Sequence, residues 1–156
     1  MMTASVDVAF NAAHRICSGG GRCGNLHGHT YRVRVDFACD RAGVWDADYK
    51  ALRQLVYGVT DGMDYAVILS EDDPAFNDIT QMCGRLGFKY TTITDETTPG
   101  NIASAVLCSL IMKLDEGNPE HVRIKSVTVW DSAETRAMVM PDTAGVFQSV
   151  HGEDKH

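Results

Sequence analysis

The chain has 156 residues and a formal net charge of −7, with 14 basic and 21 acidic side chains. A chain of this length forms one domain with a sizeable core. The acidic balance argues against general nucleic-acid binding, because neutralising phosphates requires clustered Lys and Arg. No uninterrupted apolar stretch approaches the roughly 20 residues that span a bilayer, so we expect no membrane association. The N-terminus lacks a basic start and a long apolar core, so we also expect no signal peptide.

The five cysteines are an odd and scattered set without a C-x-x-C pair. This pattern argues against a secreted disulfide framework and predicts a cytoplasmic protein in a reducing environment. Cys17 and Cys23 flank a glycine-rich loop and are the candidate reactive thiols. Cys108 lies in an apolar helical pattern and is expected to be an inert core residue.

The first half of the chain predicts two strands and a helix. Residues 6–15 alternate between apolar and polar side chains and predict a first strand, and residues 27–39 predict a second. A long-looped antiparallel hairpin would join them. Residues 48–59 carry apolar side chains at helical spacing. Residues 64–69 are a short apolar segment that precedes a turn.

The second half predicts another helix and two further strands. Residues 75–97 show no clear pattern apart from a short strand over 88–93. Thr98 is a good N-cap with Pro99 as the first helical residue, and Gly117 is placed to end that helix. Alternation then predicts a strand over 122–130, with its hairpin partner over 137–140.

This order of elements, β-β-α-α-β-β, indicates an α+β fold with two helices on one face of an antiparallel sheet. We predict a single domain over 1–150 and a frayed tail over 151–156. A sheet of four strands leaves both edges open, so we expect a homo-oligomer formed by edge pairing.

Three histidines are the candidate metal ligands. If the second strand begins at His27, then His27 and His29 project from the same face, because side chains alternate along a strand. His14 lies at the end of the first strand and is a third candidate. Three histidines with one open position are typical of catalytic zinc. The alternative interpretation is a set of solvated or hydrogen-bonded imidazoles. Cys23, four residues before His27, is a candidate base or nucleophile.

Two segments, Phe10–Arg15 and Cys23–Tyr31, resemble the 6-pyruvoyltetrahydropterin synthase superfamily, and within it the 6-carboxytetrahydropterin synthase branch. The resemblance implies a tunnelling fold (T-fold) whose subunits pair edge to edge into a ring such as a hexamer, with active sites between subunits. It implies Zn²⁺ on His14, His27 and His29. It also implies a pterin substrate of the dihydroneopterin triphosphate type, and for this branch a role in the 7-deazaguanine (queuosine-type) pathway.

The resemblance implies that a Cys is the general base and that an Asp–His pair assists it, as in the family. Cys23 and Asp64 are retained here, but Tyr65 stands where the family has its catalytic His. A tyrosine hydroxyl with an ordinary pKa of about 10 donates a proton but is a poor base at neutral pH. Tyr65 therefore puts activity on the family substrate in doubt.

The ring-binding residues also depart from the family pattern. Asp131 stands where the family has a pterin-anchoring Glu, and it is shorter by one methylene group. Thr98 or Ser132 would help it to hold the ring edge. Glu134, three residues later, is the alternative anchor. At the start of the second predicted helix, Gly100 replaces a family Glu.

Three functional hypotheses follow from these residues. The first is a zinc-dependent lyase of the 6-carboxytetrahydropterin synthase type that acts on dihydroneopterin triphosphate. The second is a divergent T-fold enzyme for another pterin or purine-like substrate. The third is a non-catalytic pterin- or nucleotide-binding module built on the same scaffold.

Overall fold

The computed structural model describes residues 2–40, 45–117 and 122–141. Within these residues the chain forms six strands and three α-helices. In chain order they are β1 (Met2–His14), β2 (His27–Cys39), α1 (Trp45–Thr60), β3 (Ala66–Ser70), α2 (Phe76–Leu86), β4 (Tyr90–Ile93), α3 (Pro99–Gly117), β5 (Val122–Trp130) and β6 (Arg136–Val139). A short 3-10 turn, Gly21–Gly24, lies between β1 and β2.

The strands form one sheet in the order β4-β3-β1-β2-β5-β6. The four predicted strands are its antiparallel part, β1-β2-β5-β6. The prediction of a purely antiparallel sheet was wrong, because β3 pairs in parallel with β1, and β4 with β3. Parallel neighbours need a crossover connection. Helix α2 provides that connection between β3 and β4.

Helix α2 is the element that the sequence analysis did not predict. It lies within residues 75–97, and Cys83 is its one buried residue among those described. The helical signal was present and was missed, because apolar residues recur at helical spacing at Phe76, Ile79, Met82, Cys83 and Leu86. By contrast, the predicted bounds of β2 and β5 agree with the structure. The predicted tail, 151–156, lies outside the described residues.

The core lies between the sheet and helices α1 and α3. Every second residue of β1 from Ala4 is buried, and the same alternation buries Tyr31, Val33, Val35 and Phe37 on β2. Helix α3 packs against α1, β5 and β6, and α1 packs against β1. His14 falls on the buried side of β1, so the histidines stand at the end of the core face of the β1–β2 pair.

Within the described residues, the outer edges of β4 and β6 have no neighbouring strand. Large apolar side chains are exposed at both, namely Phe88 and Tyr90 near the first and Met138 and Met140 at the second. No helix in the described part of the chain combines the length and the apolar character needed to cross a membrane.

Candidate metal centre and its surroundings

The antiparallel register of β1 and β2 brings the three histidines together. His14 lies directly opposite His27, and Ala12 lies opposite His29. One ring nitrogen from each of the three imidazoles lies within 4.8 Å of the others. The Nε2 atoms of His14 and His27 are 3.1 Å apart. The arrangement could hold a metal ion.

Hydrogen bonds to main-chain carbonyls orient two of these rings. His14 Nδ1 lies 2.8 Å from the carbonyl oxygen of Thr97, and His27 Nδ1 lies 2.7 Å from that of Asn25. A carbonyl oxygen only accepts hydrogen bonds, so each Nδ1 carries the proton and each Nε2 presents its lone pair. Burial lowers the pKa of His14 and favours its neutral form, the one that binds metal. Two such lone pairs 3.1 Å apart repel each other unless a cation lies between them.

Asp131 adds a negative charge beside the histidines. It follows β5, and its charge opposes the lowering of the His14 pKa by burial. It also adds to the effect of burial in raising the pKa of Tyr31. Among the described residues, the buried Oδ1 of Asp131 and the hydroxyl of Tyr31 have no hydrogen-bond partner. Buried polar atoms are normally paired, so this carboxylate is available to a bound molecule.

The two candidate thiols have different surroundings. Cys23 is exposed on the 3-10 turn, and the backbone N–H of Ile16 donates to its carbonyl oxygen at 2.8 Å. Cys17 donates a hydrogen bond from Sγ to Oε1 of Glu96 at 2.9 Å, which raises the pKa of the Cys17 thiol. Because the thiolate is the reactive form, this contact disfavours Cys17 as the reactive residue. Within the described residues, the metal-ligand cluster comprises the histidines without either cysteine.

Asp64 and Tyr65 immediately precede β3, and both form hydrogen bonds with Asn11 of β1. The backbone N–H of Asn11 donates to Asp64 Oδ1 at 2.9 Å, and the backbone N–H of Tyr65 donates to the Asn11 carbonyl at 2.6 Å. Tyr65 is 79% exposed and has a positive φ of 54°. For a bulky residue this left-handed conformation is strained.

A pocket of about 730 Å³ connects this edge to the histidine cluster. Its lining includes His29, Thr30 and Tyr65, together with Phe88 and Lys89 from the segment before β4. His29 and Tyr65 therefore line the same pocket.

The remaining predicted residues lie in two turns. Thr98 caps α3, because its Oγ1 accepts a hydrogen bond from the backbone N–H of Asn101 at 3.3 Å. Ser132 Oγ accepts hydrogen bonds from the backbone N–H groups of Glu134 and Thr135 at 3.3 and 3.0 Å. Glu134 is exposed in this second turn. Gly100 lies against β6, since a Cβ at that position would lie 3.7 Å from the Cβ of Ala137.

Sequence reasoning missed the groups that orient the ligands. The carbonyls of Thr97 and Asn25 belong to the backbone, which every residue carries, so no side-chain pattern marks them. Glu96 and Tyr31 were missed as well. Tyr31 follows the apolar alternation of β2 and looks like any other core residue in the sequence.

Solved structures show which fold this is. A protein from Wolinella succinogenes superposes with a TM-score of 0.73 at 18% identity, covering 90% of this chain and 98% of that one. The 6-pyruvoyl tetrahydropterin synthase of Caenorhabditis elegans superposes with a TM-score of 0.62 at 21% identity, covering 90% and 96%. The chain is thus an α+β protein of the T-fold class with a histidine cluster that could bind a metal.

The family follows from the sequence match. Residues 3–142 match the family described as 6-pyruvoyl tetrahydropterin synthase, and the chain belongs to this family. It is 28% identical over 138 residues to the 6-carboxy-5,6,7,8-tetrahydropterin synthase of Haemophilus influenzae, covering 85% of this chain and 94% of that one. It is 24% identical over 120 residues to the enzyme of the same name from Aquifex aeolicus, covering 74% of each chain. The family and these names support a lyase of the tetrahydropterin synthase type.

Proposed function

We propose that the chain is a zinc-dependent lyase of the 6-carboxytetrahydropterin synthase type and that its substrate is dihydroneopterin triphosphate. The observation that carries the proposal is the histidine cluster, in which one ring nitrogen of each imidazole lies within 4.8 Å of the others, on the scaffold of this family. The names of the curated relatives favour the 6-carboxy branch, and with it a role in the 7-deazaguanine pathway.

The donor set supports zinc as the metal. Two nitrogen ligands at about 2.0–2.1 Å from a tetrahedral zinc ion lie about 3.3 Å apart, close to the observed 3.1 Å between His14 and His27. His29 would be the third ligand, and the open fourth position would accept a substrate oxygen. When bound there, zinc would supply Lewis-acid polarisation of the substrate side chain.

Cys23 is the residue that we assign as general base. It is exposed on the turn that leads into His27, whereas the hydrogen bond to Glu96 keeps Cys17 protonated. A bound cation nearby would stabilise a negatively charged thiolate at Cys23, which would remove a side-chain proton. Asp64 and Tyr65 would form a modified proton relay, in which the tyrosine hydroxyl donates.

Asp131 is the residue that we assign to the ring edge, with help from Thr98 or Ser132. Its buried and unpartnered Oδ1 can accept hydrogen bonds from the amino and ring N–H groups of a pterin. The exposure of Glu134 favours Asp131 over it as the anchor, because a buried carboxylate forms stronger hydrogen bonds than a solvated one.

The proposal also includes assembly and location. Asp64 and Tyr65 bond to Asn11 and not to the histidines, and both sheet edges expose apolar side chains. A ring-shaped homo-oligomer such as a hexamer, with sites between subunits, would bring such separate parts together. The described residues include all five cysteines and contain no disulfide, which supports a reducing cytoplasm as the location.

The decisive experiment is incubation of zinc-loaded protein with dihydroneopterin triphosphate, with the products resolved by mass spectrometry. We expect a 6-carboxytetrahydropterin product. Cys23→Ala should abolish its formation, whereas the matched control Cys17→Ser, which keeps a hydrogen-bond donor to Glu96, should retain it. Equal turnover by the wild type and Cys23→Ala would contradict the assignment of the base.

A second candidate function is catalysis on another pterin or purine-like substrate. It is supported by the exposed and strained Tyr65, together with the two departures that the resemblance implies, namely Tyr65 for a family His and Asp131 for a family Glu. If Tyr65→His gains no activity on dihydroneopterin triphosphate while the zinc-loaded wild type converts another such compound, this second function holds. Zinc binding and tight pterin binding without any turnover would indicate a binding module.

A further inference from the structure

Glu96 receives three hydrogen bonds from the loop that follows β1. Its Oε1 accepts from Cys17 Sγ at 2.9 Å and from the backbone N–H of Ser18 at 2.6 Å. Its Oε2 accepts from Ser18 Oγ at 2.6 Å. A single carboxylate therefore fixes two consecutive residues of this loop.

The segment that carries Glu96 also contacts the metal centre. The carbonyl of the next residue, Thr97, accepts the hydrogen bond from His14 Nδ1, and Thr97 Oγ1 donates to the carbonyl of Arg15 at 2.7 Å. Asn101 Nδ2 donates to the carbonyl of Glu96 at 2.8 Å, which ties the segment to α3. The start of α3 thus holds the end of β1 at several points.

The loop held by Glu96 continues into the turn that carries Cys23. The backbone N–H of Ile16 donates to the carbonyl of Cys23 at 2.8 Å, and that of Gly19 donates to Ile16 at 3.1 Å. The packing is close, because a Cβ on Gly24 would lie 2.8 Å from the carbonyl oxygen of Gly19. A displacement at Cys17 or Ser18 therefore reaches the turn of Cys23.

We propose that Glu96 is a positioning residue that holds the Cys23 turn in place beside the histidine cluster. This inference rests on the proposed function for its catalytic meaning. Hydrogen bonds from Cys17 and then Ser18 hold the pKa of Glu96 below its usual range, so the carboxylate is ionised at neutral pH. Ionised acceptors form the stronger hydrogen bonds.

The test compares Glu96→Ala and Glu96→Gln with wild-type, zinc-loaded protein. In Glu96→Ala we expect kcat to fall by about 10- to 100-fold while KM changes less than about twofold, because the base is misplaced and the ring anchor is not. Trypsin cleavage after the exposed Arg22, within the Cys23 turn, should accelerate by about tenfold or more. Glu96→Gln keeps the shape and an acceptor oxygen, so it should recover most of both properties.

A matched control is Glu71→Ala, since Glu71 is an exposed glutamate that accepts a long hydrogen bond of 3.4 Å from the Thr92 hydroxyl. It should leave kcat and the cleavage rate unchanged. If Glu96→Ala does not fold, Ser18→Ala is the second variant, because it removes the hydrogen bond from the Ser18 hydroxyl to Glu96. It should also lower kcat and accelerate trypsin cleavage.

The outcomes separate this inference from the proposed function. If Glu96→Ala keeps the wild-type kcat, the positioning role is wrong, whether or not the rate of trypsin cleavage changes. If that cleavage rate is unchanged in Glu96→Ala, Glu96 does not hold the turn in place. If the wild type itself converts no substrate, the proposed function fails. The cleavage rate after Arg22 then decides alone whether Glu96 holds the turn.

Discussion

At the scale of single residues, Asp131 and Tyr65 each have an unusual feature that costs free energy of folding. Asp131 keeps a buried oxygen without a partner among the described residues, and Tyr65 adopts a left-handed backbone conformation while its side chain is exposed. Neither feature helps the isolated chain to fold, because an unpaired buried acceptor and a strained backbone both cost free energy. Such costs are typical of positions that serve binding or catalysis.

We predict that Asp131→Asn lowers function and does not lower stability. In metal-free protein the free energy of unfolding should stay equal or rise by about 1 kcal/mol, because an unpaired carboxylate is replaced by a neutral group. Pterin affinity should fall by about 10- to 100-fold through the loss of charge-assisted hydrogen bonds. Urea denaturation and fluorescence titration with a dihydropterin would measure the two effects.

Glu134→Gln is the matched control for this prediction, because it neutralises the alternative anchor in the exposed turn. It should leave pterin affinity within about twofold of wild type, since a solvated carboxylate contributes little. Should Glu134→Gln weaken binding while Asp131→Asn does not, the ring would be anchored at Glu134.

At the scale of elements, the end of β1 and the start of α3 build the centre together. Thr97 and Thr98 lie at this junction, one orienting His14 and the other capping the helix. The junction is also held by the ion pair between Arg15 and Asp73, 3.3 Å apart, in which the Asp73 side chain is 1% exposed. Removing one partner of a buried pair leaves an uncompensated charge, so this contact helps to hold the end of β1 in place.

We predict that Thr98→Ala destabilises the protein by about 1 kcal/mol, the usual contribution of an N-cap side chain. Thr98→Ser retains the hydroxyl that accepts the hydrogen bond from the N–H of Asn101, so its stability should remain close to wild type. Urea denaturation of the two variants would measure the difference. Equal destabilisation by both substitutions would assign the effect to the lost methyl group and not to the cap.

At the scale of the whole molecule, the part of the sheet that the structure describes has unpaired edges at β4 and β6. Large apolar side chains are exposed on or beside both edges. Unpaired backbone groups at such edges are templates for pairing with another chain. The proposed ring uses both edges of every subunit. It would also complete sites whose parts are separate in one chain.

We predict that Met138→Lys on β6 reduces assembly without unfolding the subunit. Met138 is 58% exposed, so a charge there costs little in the monomer but opposes edge pairing. Light scattering after size-exclusion chromatography should show a smaller species. Met112→Lys, at a methionine that is 62% exposed on helix α3 and not on an edge strand, should keep the wild-type mass. A wild-type protein that is monomeric would contradict the proposed ring.

The sequence by itself determined the long elements and the identity of the metal-ligand candidates. Alternation over residues 27–39 placed His27 and His29 on one face, and the structure has that strand with the same bounds. The Thr98 cap was predictable too, because capping is a local property of a few neighbouring residues. Strong periodic patterns and local motifs need no knowledge of what packs against them.

Only the tertiary structure decided how distant segments combine. It paired His14 with His27, set the Thr97 carbonyl against His14, and placed Glu96 on the loop that carries Cys17. It also showed that β3 and β4 pair in parallel, with α2 between them. The physical reason is that register, backbone acceptors and unpaired buried atoms arise from contacts between residues far apart in the chain. Such contacts leave no pattern in the local sequence.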